Sequence, residues 1–314
     1  MRELLFQGFV AIYKALARTP LRRVPGMLEL SNKLFRRAWP RGNVIDVQGN
    51  RMYIDVNDPR PALRYTFQAY GMNLVHEEAT TLLFKSVVKP GDVVLDLGAN
   101  IGYFSLLAAR LVGAGGHVYI FEPEPTNYRY LKKNIELNGF GNVTTFQKAI
   151  SDRDGSTQLF ICSYDSGHHT INQMDGIKAY ARGREYTEQT MDVETVAVDN
   201  FVRANAPQVN VIKMDVEGAE ALALAGMRET LLANDVRIFL EYFPLLLRQM
   251  GSDERAYVNS LLRDFGFHVY AIGHDYDMDK REANLLPISN FEQLDELIVN
   301  ADDHVNLFLT KTPI

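Results

Sequence analysis

The 314-residue sequence has a single cysteine, Cys162. That excludes an intrachain disulfide and a zinc site built from several thiolates. No stretch of about 18 consecutive apolar residues occurs, so an ordinary membrane-spanning helix is not expected. Positive charge is also short: 33 Lys and Arg face 39 Asp and Glu, a formal net charge of −6. The chain as a whole is not charged to bind nucleic acid. What basic charge there is collects at one end. Residues 1–42 hold nine Lys and Arg against Glu3 and Glu29, a net of +7, which leaves −13 for the remainder. A basic tip on an acidic body points to a local role for the tip. With 46% hydrophobic and 23% charged residues, the composition is globular, with room for one large α/β domain and an appendage.

Three segments are expected. Residues 1–42 form a basic, amphipathic helical segment in which Leu5, Phe9, Ile12, Tyr13 and Leu16 recur at helical spacing. A second short helix is expected over Met27–Arg37, and Trp39-Pro40-Arg41-Gly42 reads as a linker. Residues 43–73 read as a β-hairpin, turning at Gly49-Asn50, and a connector. From residue 74 to 314, strands and helices alternate, the pattern of parallel strands joined by helical crossovers. Predicted strands are Val93–Leu97, His117–Phe121, Val143–Gln147, Val209–Met214, Val236–Tyr242, Phe267–Ile272 and Val305–Thr310. Predicted helices include Tyr103–Val112, Thr126–Asn138 and Glu220–Leu232. A second hairpin, Gln158–Cys162 with Thr190–Val198, carries a long substrate-side arm over residues 163–189.

The informative run is Asp96-Leu97-Gly98-Ala99-Asn100-Ile101-Gly102. An apolar strand stops at an acid, a glycine-punctuated turn follows, and an apolar helix begins. Such a turn brings backbone N–H groups and a helix N-terminus to a ligand. A dinucleotide turn would need glycines where Asn100 and Tyr103 stand, for close approach to a pyrophosphate and for helix packing. Asp96 suits a ligand with a cationic amino-acid end instead. The contrast favours S-adenosylmethionine over a nicotinamide dinucleotide. Glu122 lies twenty residues after Gly102, at the end of the next strand, where an ionised carboxylate accepts both ribose hydroxyl protons. After the third strand, backbone at Ala149 and Ile150 with a side chain of Ser151 or Asp152 would meet the adenine edge. A plain Ser-Asp turn before Asp154-Gly155 explains the same residues.

The sequence here resembles the FkbM family of S-adenosylmethionine-dependent methyltransferases. The resemblance rests on Lys89-Pro90-Gly91-Asp92 through Gly102, on Phe121-Glu122-Pro123, on Asn134, and above all on Val211-Ile212-Lys213-Met214-Asp215-Val216-Glu217-Gly218-Ala219-Glu220. It covers about residues 74–245. It implies a Rossmann-like class I methyltransferase: a seven-stranded, mostly parallel sheet, last strand antiparallel, with helices on both faces. It also implies methyl transfer, mostly to oxygen of sugars, polyketides or other natural products. By position, Asp96, Gly98, Asn100, Gly102 and Glu122 match the family's cofactor residues. Asp215, Glu217 and Glu220 match its acidic strand-to-helix junction.

The expected reaction is O-methylation of a sugar, glycan or glycoconjugate hydroxyl. The alternatives are a natural-product or lipid acceptor, a nicotinamide oxidoreductase, and a non-catalytic membrane-associated scaffold. Proton removal from a hydroxyl calls for a base or a metal. Asp215 at its strand end is the leading candidate, with an N-cap for the following helix as its structural alternative. Glu217 is the second candidate; it and Glu220 would equally complement a helix dipole. His168 or His169 in the long arm is an alternative base. Asp215 with Glu241 offers an oxygen site for Mg²⁺. Tyr103 and Phe104 stand where they would wall the methyl site or simply pack in the core.

Arg2 followed by Leu4–Tyr13 mimics a signal peptide, but Gln7 and Lys14 interrupt the pattern. The expected location is the cytoplasm, with peripheral contact at the inner face of the membrane through residues 1–42 as an extension of it. A helix docked on the domain, or a homodimer contact, would bury the same apolar face.

Overall fold

A computed structural model of the chain describes residues 2–17, 26–39, 42–58, 61–72, 75–162, 167–171, 189–205, 208–273, 284–300 and 304–314. It divides into two compact units, Met1–His76 and Glu77–Ile314.

The first unit holds α1 (Arg2–Ala17), α2 (Met27–Ala38), β1 (Val44–Val47), β2 (Asn50–Tyr53) and α3 (Pro61–Gly71). Its helical core is aromatic: the Phe6 ring meets Phe35 and Trp39 edge-on at 5.7 and 5.3 Å. A side chain at Gly71 would run into the Phe35 and Trp39 rings at 2.7 Å, so glycine lets the end of α3 close on them. The hairpin is present, but its turn is Gln48-Gly49, one residue earlier than expected, with Asn50 already paired to Val47. Both turn residues have positive φ, 55° and 81°, the two-residue geometry whose twist matches the strands. Helix α3 was not expected; the sequence there reads only as a connector.

The second unit opens with α4 (Glu78–Val87), β3 (Val93–Leu97), α5 (Tyr103–Val112), β4 (His117–Phe121), α6 (Pro125–Asn138) and β5 (Val143–Phe146). Next come β6 (Ala149–Ile150), β7 (Gly155–Phe160), β8 (Thr190–Val196) and α7 (Val198–Asn205). The chain continues through β9 (Val211–Met214), α8 (Glu220–Gly226), α9 (Arg228–Ala233), β10 (Arg237–Tyr242), α10 (Pro244–Gln249) and α11 (Glu254–Asn259). It ends with β11 (His268–Gly273), β12 (Asn284–Ile288), α12 (Phe291–Asp295) and β13 (Val305–Thr310).

The main sheet runs β12-β11-β13-β10-β9-β3-β4-β5. Strands β3, β4, β5, β9 and β10 pair in parallel, and β13 inserts antiparallel between β10 and β11. This is the expected class, with eight strands rather than seven. The extra strand is β12, paired with β11 at the sheet edge. It contains Pro287, which cannot donate to a ladder and so argues against a strand in sequence, but is tolerated at an edge. One face of the central strands is apolar: Leu95, Leu97, Ile212, Met214, Ile238 and Leu240 are buried in one core. Each such side chain stabilises the fold by roughly 1.5–3 kcal/mol.

The expected second hairpin is β7 with β8, and β6 joins β8 in parallel to make a separate three-stranded sheet. Most of the 163–189 arm lies outside the described residues. The single helix expected over Glu220–Leu232 is two, broken at Met227 (φ −125°, ψ 15°). The second piece is capped from a distance. Asp199 Oδ2 accepts the Glu229 N–H and Oδ1 accepts the Thr230 N–H, at 2.9 and 2.7 Å, satisfying two first-turn donors.

Candidate active site

The site lies where the order of the parallel strands reverses, at the carboxyl ends of β3 and β9. Open α/β sheets leave a crevice there. The two strands converge closely. The Asp215 N–H donates to the Leu97 carbonyl at 2.9 Å, and a Cβ on Gly98 would sit 1.8 Å from the Asp215 carbonyl oxygen. Gly98 is therefore demanded by backbone packing, and its φ of +84° independently favours glycine. The Gly98 and Ala99 N–H groups both donate to the Phe121 carbonyl. Asn100 follows in the left-handed region, φ 51°.

Glu122 closes the turn from β4. Its Oε2 accepts the Asn100 N–H at 2.7 Å, and its Oε1 accepts the Glu124 N–H at 2.9 Å. Burial pushes its pKa up to about 8, against the two N–H bonds, which lower it. Each carboxylate oxygen can accept more than one hydrogen bond, so this group can hold the turn and a ribose diol together. Gly98, Asn100, Glu122, Ala149, Ile150 and Asp215 all line one cleft, as do His169 and Glu217.

The other predicted cofactor residues stand behind this surface. Asp96 is buried; Ser105 Oγ donates to its Oδ2 at 2.5 Å. Burial raises its pKa to about 6. Gly102, φ +95°, starts α5 and packs on Leu131, whose Cδ1 would be 2.7 Å from an added Cβ. Ser151 Oγ donates to Asp152 Oδ1 at 3.1 Å. The Ser151 carbonyl would be 2.2 Å from a Cβ on Gly226, so this turn is wedged against the end of α8.

At the start of the β9–α8 connection, oxygens of Asp215 and Glu217 lie within 4.8 Å of one another and of Glu241. The predicted pair Asp215 and Glu241 thus meets, with Glu217 added. Glu217 is in the left-handed region, φ 52°, and its carbonyl accepts from Thr170 Oγ1 at 2.6 Å. That bond fastens the far hairpin to the site. His169 is held by its ring: Nδ1 accepts the Cys162 N–H at 3.0 Å. A ring nitrogen that accepts is unprotonated, so in the neutral ring Nε2 carries the proton. His168 is not part of the cleft lining. Glu220 is buried, accepts the Gly218 N–H at 3.2 Å, and has its pKa raised by burial to about 7. Tyr103 and Phe104 are buried and stacked edge-on at 5.2 Å; Tyr103 bonds Thr81 at 3.3 Å.

Sequence reasoning missed the centre of this cluster. Lys213 is 2% exposed. Its Nζ lies 3.5 Å from Asp215 Oδ2 and 5.0 Å from the centre of the Phe104 ring. Burial pulls its pKa down, but the carboxyls of Glu77, Asp215, Glu241 and Asp96 outweigh that and raise it above the ordinary lysine range. Glu241 in turn is raised well above the usual carboxylate range by burial and by Asp215 and Glu77. The available signal was a lone lysine within Val-Ile-Lys-Met, a strand otherwise apolar throughout. A cation in such a strand needs acids around it.

The Methyltransferase FkbM domain matches residues 96–269, more than half of the chain. The chain belongs to the FkbM methyltransferase family. Its Glu77–Ile314 unit is accordingly an S-adenosylmethionine-dependent methyltransferase domain. The chain is 29% identical over 163 residues to the 31-O-demethyl-FK506 methyltransferase FkbM of Streptomyces tacrolimicus, covering 45% of this chain and 62% of that protein. It is 26% identical over 176 residues to the hexuronic acid methyltransferase AglP of Haloferax volcanii, covering 54% and 66%. It thus spans about two thirds of the length of each. Among solved structures, it is similar to the methyltransferase FkbM of Methylobacillus flagellatus KT, at 14% identity and a TM-score of 0.40, over 80% of this chain and 56% of that one. Among the described residues, no helix is long and apolar enough to cross a membrane.

Proposed function

We propose that this methyltransferase acts on a hydroxyl of a sugar or glycoconjugate. The observation that carries the reading is the convergence of Asp215, Glu217 and Glu241 beside the cofactor turn. Asp215 and Glu217 line the cleft with Glu241 beside them, and such a set fits an acceptor rich in hydroxyls, because a carboxylate oxygen takes a hydrogen bond from an O–H. The hexuronic acid specificity in the name of AglP supports the same chemistry.

S-adenosylmethionine, when bound, supplies a methyl group on a sulfonium. In this reading the protein's own residues do the rest. Glu122 holds the ribose, Ala149 and Ile150 give an apolar wall to the adenine, and Asp96 acts from behind as the carboxylate that complements the cofactor's amino-acid end. Asp215 orients the acceptor hydroxyl and takes its proton. Glu217 and Glu241 position the neighbouring hydroxyls, and His169 donates from Nε2. Holding the reacting oxygen in line is the larger contribution, up to ~7–11 kcal/mol in well-oriented cases. The carboxylate cluster offers oxygens suited to Mg²⁺, but Lys213 already places one positive charge 3.5 Å from Asp215. A divalent ion would enter against that charge.

The test is mass spectrometry of a panel of uronic acids, neutral sugars, lipid-linked glycans and polyketide alcohols after incubation with the methyl donor, with and without EDTA. Gain of one methyl group on a sugar hydroxyl, insensitive to EDTA, is the expected result. Methylation confined to polyketide alcohols would overturn the acceptor class. Loss in EDTA restored by Mg²⁺ would return the proton-removal role to a metal.

A further inference from the structure

The first unit carries an apolar surface that its own core does not use. On α1, Leu5, Gly8, Ile12 and Ala15 recur at spacings of three and four residues and are all exposed; Leu5 is 65% and Ile12 62% accessible. This is one helical stripe, and it bears no charged side chain. The opposite side of the helix is committed inward, through Phe6 against Phe35 and Trp39. On α2, Leu30, Lys33, Leu34 and Arg37 form a second exposed stripe, with Leu30 50% and Leu34 46% accessible. Here the leucines alternate with cations. Residues 1–42 as a whole carry the net +7 noted above.

Exposed large aliphatic residues in a row cost free energy in water unless something covers them. The cations decide what. A second copy meeting this face symmetrically would bring +7 against +7. An anionic bilayer takes both features at once: leucine and isoleucine enter the boundary between headgroups and acyl chains, and lysine and arginine meet the headgroup phosphates. We infer that the exposed stripes of α1 and α2 are a docking surface for an anionic membrane. The methyl-transfer reading does not depend on this, and the two fail separately.

The experiment is flotation of the full-length protein with phosphatidylcholine vesicles, with and without an added fraction of phosphatidylglycerol. Leu5→Glu/Ile12→Glu and Lys33→Glu/Arg37→Glu are compared with the parent chain. S-adenosylhomocysteine affinity, read by calorimetry, confirms that the catalytic unit is intact in each. The parent should float with the anionic vesicles at least tenfold better than with the neutral ones. Each double variant should lose at least tenfold of that binding while keeping its nucleoside affinity. Raised salt should weaken it, since the attraction is screened. Absence of flotation, equal flotation on neutral vesicles, or flotation unchanged in both variants would overturn the inference. So would a dimer, seen by light scattering, that Leu5→Glu/Ile12→Glu dissolves while no form floats; that result would assign the face to a second copy.

Discussion

Gly98→Ala is the sharpest test of how the site is built. The added methyl would lie 1.8 Å from the Asp215 carbonyl oxygen. Ordinary van der Waals contact begins at 3.4 Å, so β3 and β9 must part by the difference, 1.6 Å, or the turn must move as far. The 2.9 Å bond from the Asp215 N–H to the Leu97 carbonyl would not survive such a movement; its loss costs about 1 kcal/mol. Overpacking adds roughly 1–3 kcal/mol, and alanine at φ +84° a further ~1–2 kcal/mol. The expected destabilisation is therefore about 3–6 kcal/mol. Gly91→Ala is the control: φ is +88°, yet nothing lies within 4 Å of the added methyl, so only the ~1–2 kcal/mol backbone cost applies. Urea unfolding of both variants reads the difference, and calorimetry with S-adenosylhomocysteine reads the cleft. If the two variants lose equal stability, or Gly98→Ala binds the nucleoside normally, the convergence of β3 and β9 is not what fixes this turn.

Asp215→Asn should lower turnover on the order of 10²–10⁴-fold while S-adenosylhomocysteine affinity stays within a few-fold; unchanged turnover would remove Asp215 from proton transfer. Glu122 has its pKa near 8, so a ribose that needs the ionised form should bind more tightly as pH rises from 6 to 8, approaching tenfold per pH unit. Glu122→Gln should bind weakly at every pH, and a variant retaining the parent's slope would assign it elsewhere. Stability should also depend on pH. Asp96, Glu220 and Glu122 have folded values of about 6, 7 and 8, all above their unfolded ones, so the folded state holds more protons in between. Stability is then full below the unfolded carboxylate range, falls as pH rises toward 8, and levels off above it. A urea midpoint that instead climbs over that interval would show that these acids are ionised in the folded protein.

Much of the second unit was legible because its signals are local. The apolar runs Val93–Leu97 and His117–Phe121, the glycine punctuation at 98 and 102, and the acid at 122 each follow from the chemistry of a few adjacent residues. Signals that depend on a distant partner were not. Helix α9 starts where it does because Asp199, some thirty residues earlier, caps it. Strand β12 exists because β11 offers it an edge that tolerates Pro287. The hairpin turn moved to Gln48-Gly49 because a left-handed pair suits the twist of β1 and β2 better than the local sequence reveals.

By itself the sequence determined the parallel α/β alternation, the glycine-punctuated turn after β3 and the acid that follows β4, and the separation of a basic tip from an acidic body. These are set by periodicity, by backbone freedom at particular glycines and by counted charge, all properties of neighbours along the chain. Only the tertiary structure decided that Lys213 sits buried among Glu77, Asp96, Asp215 and Glu241. It likewise decided that Glu217 joins Asp215 and Glu241, and that His169 is held by Cys162. Glu77, Asp96, Lys213 and Glu241 come from elements far apart in sequence, and their protonation is governed by a shared low-dielectric interior that exists only once the sheet has closed around them.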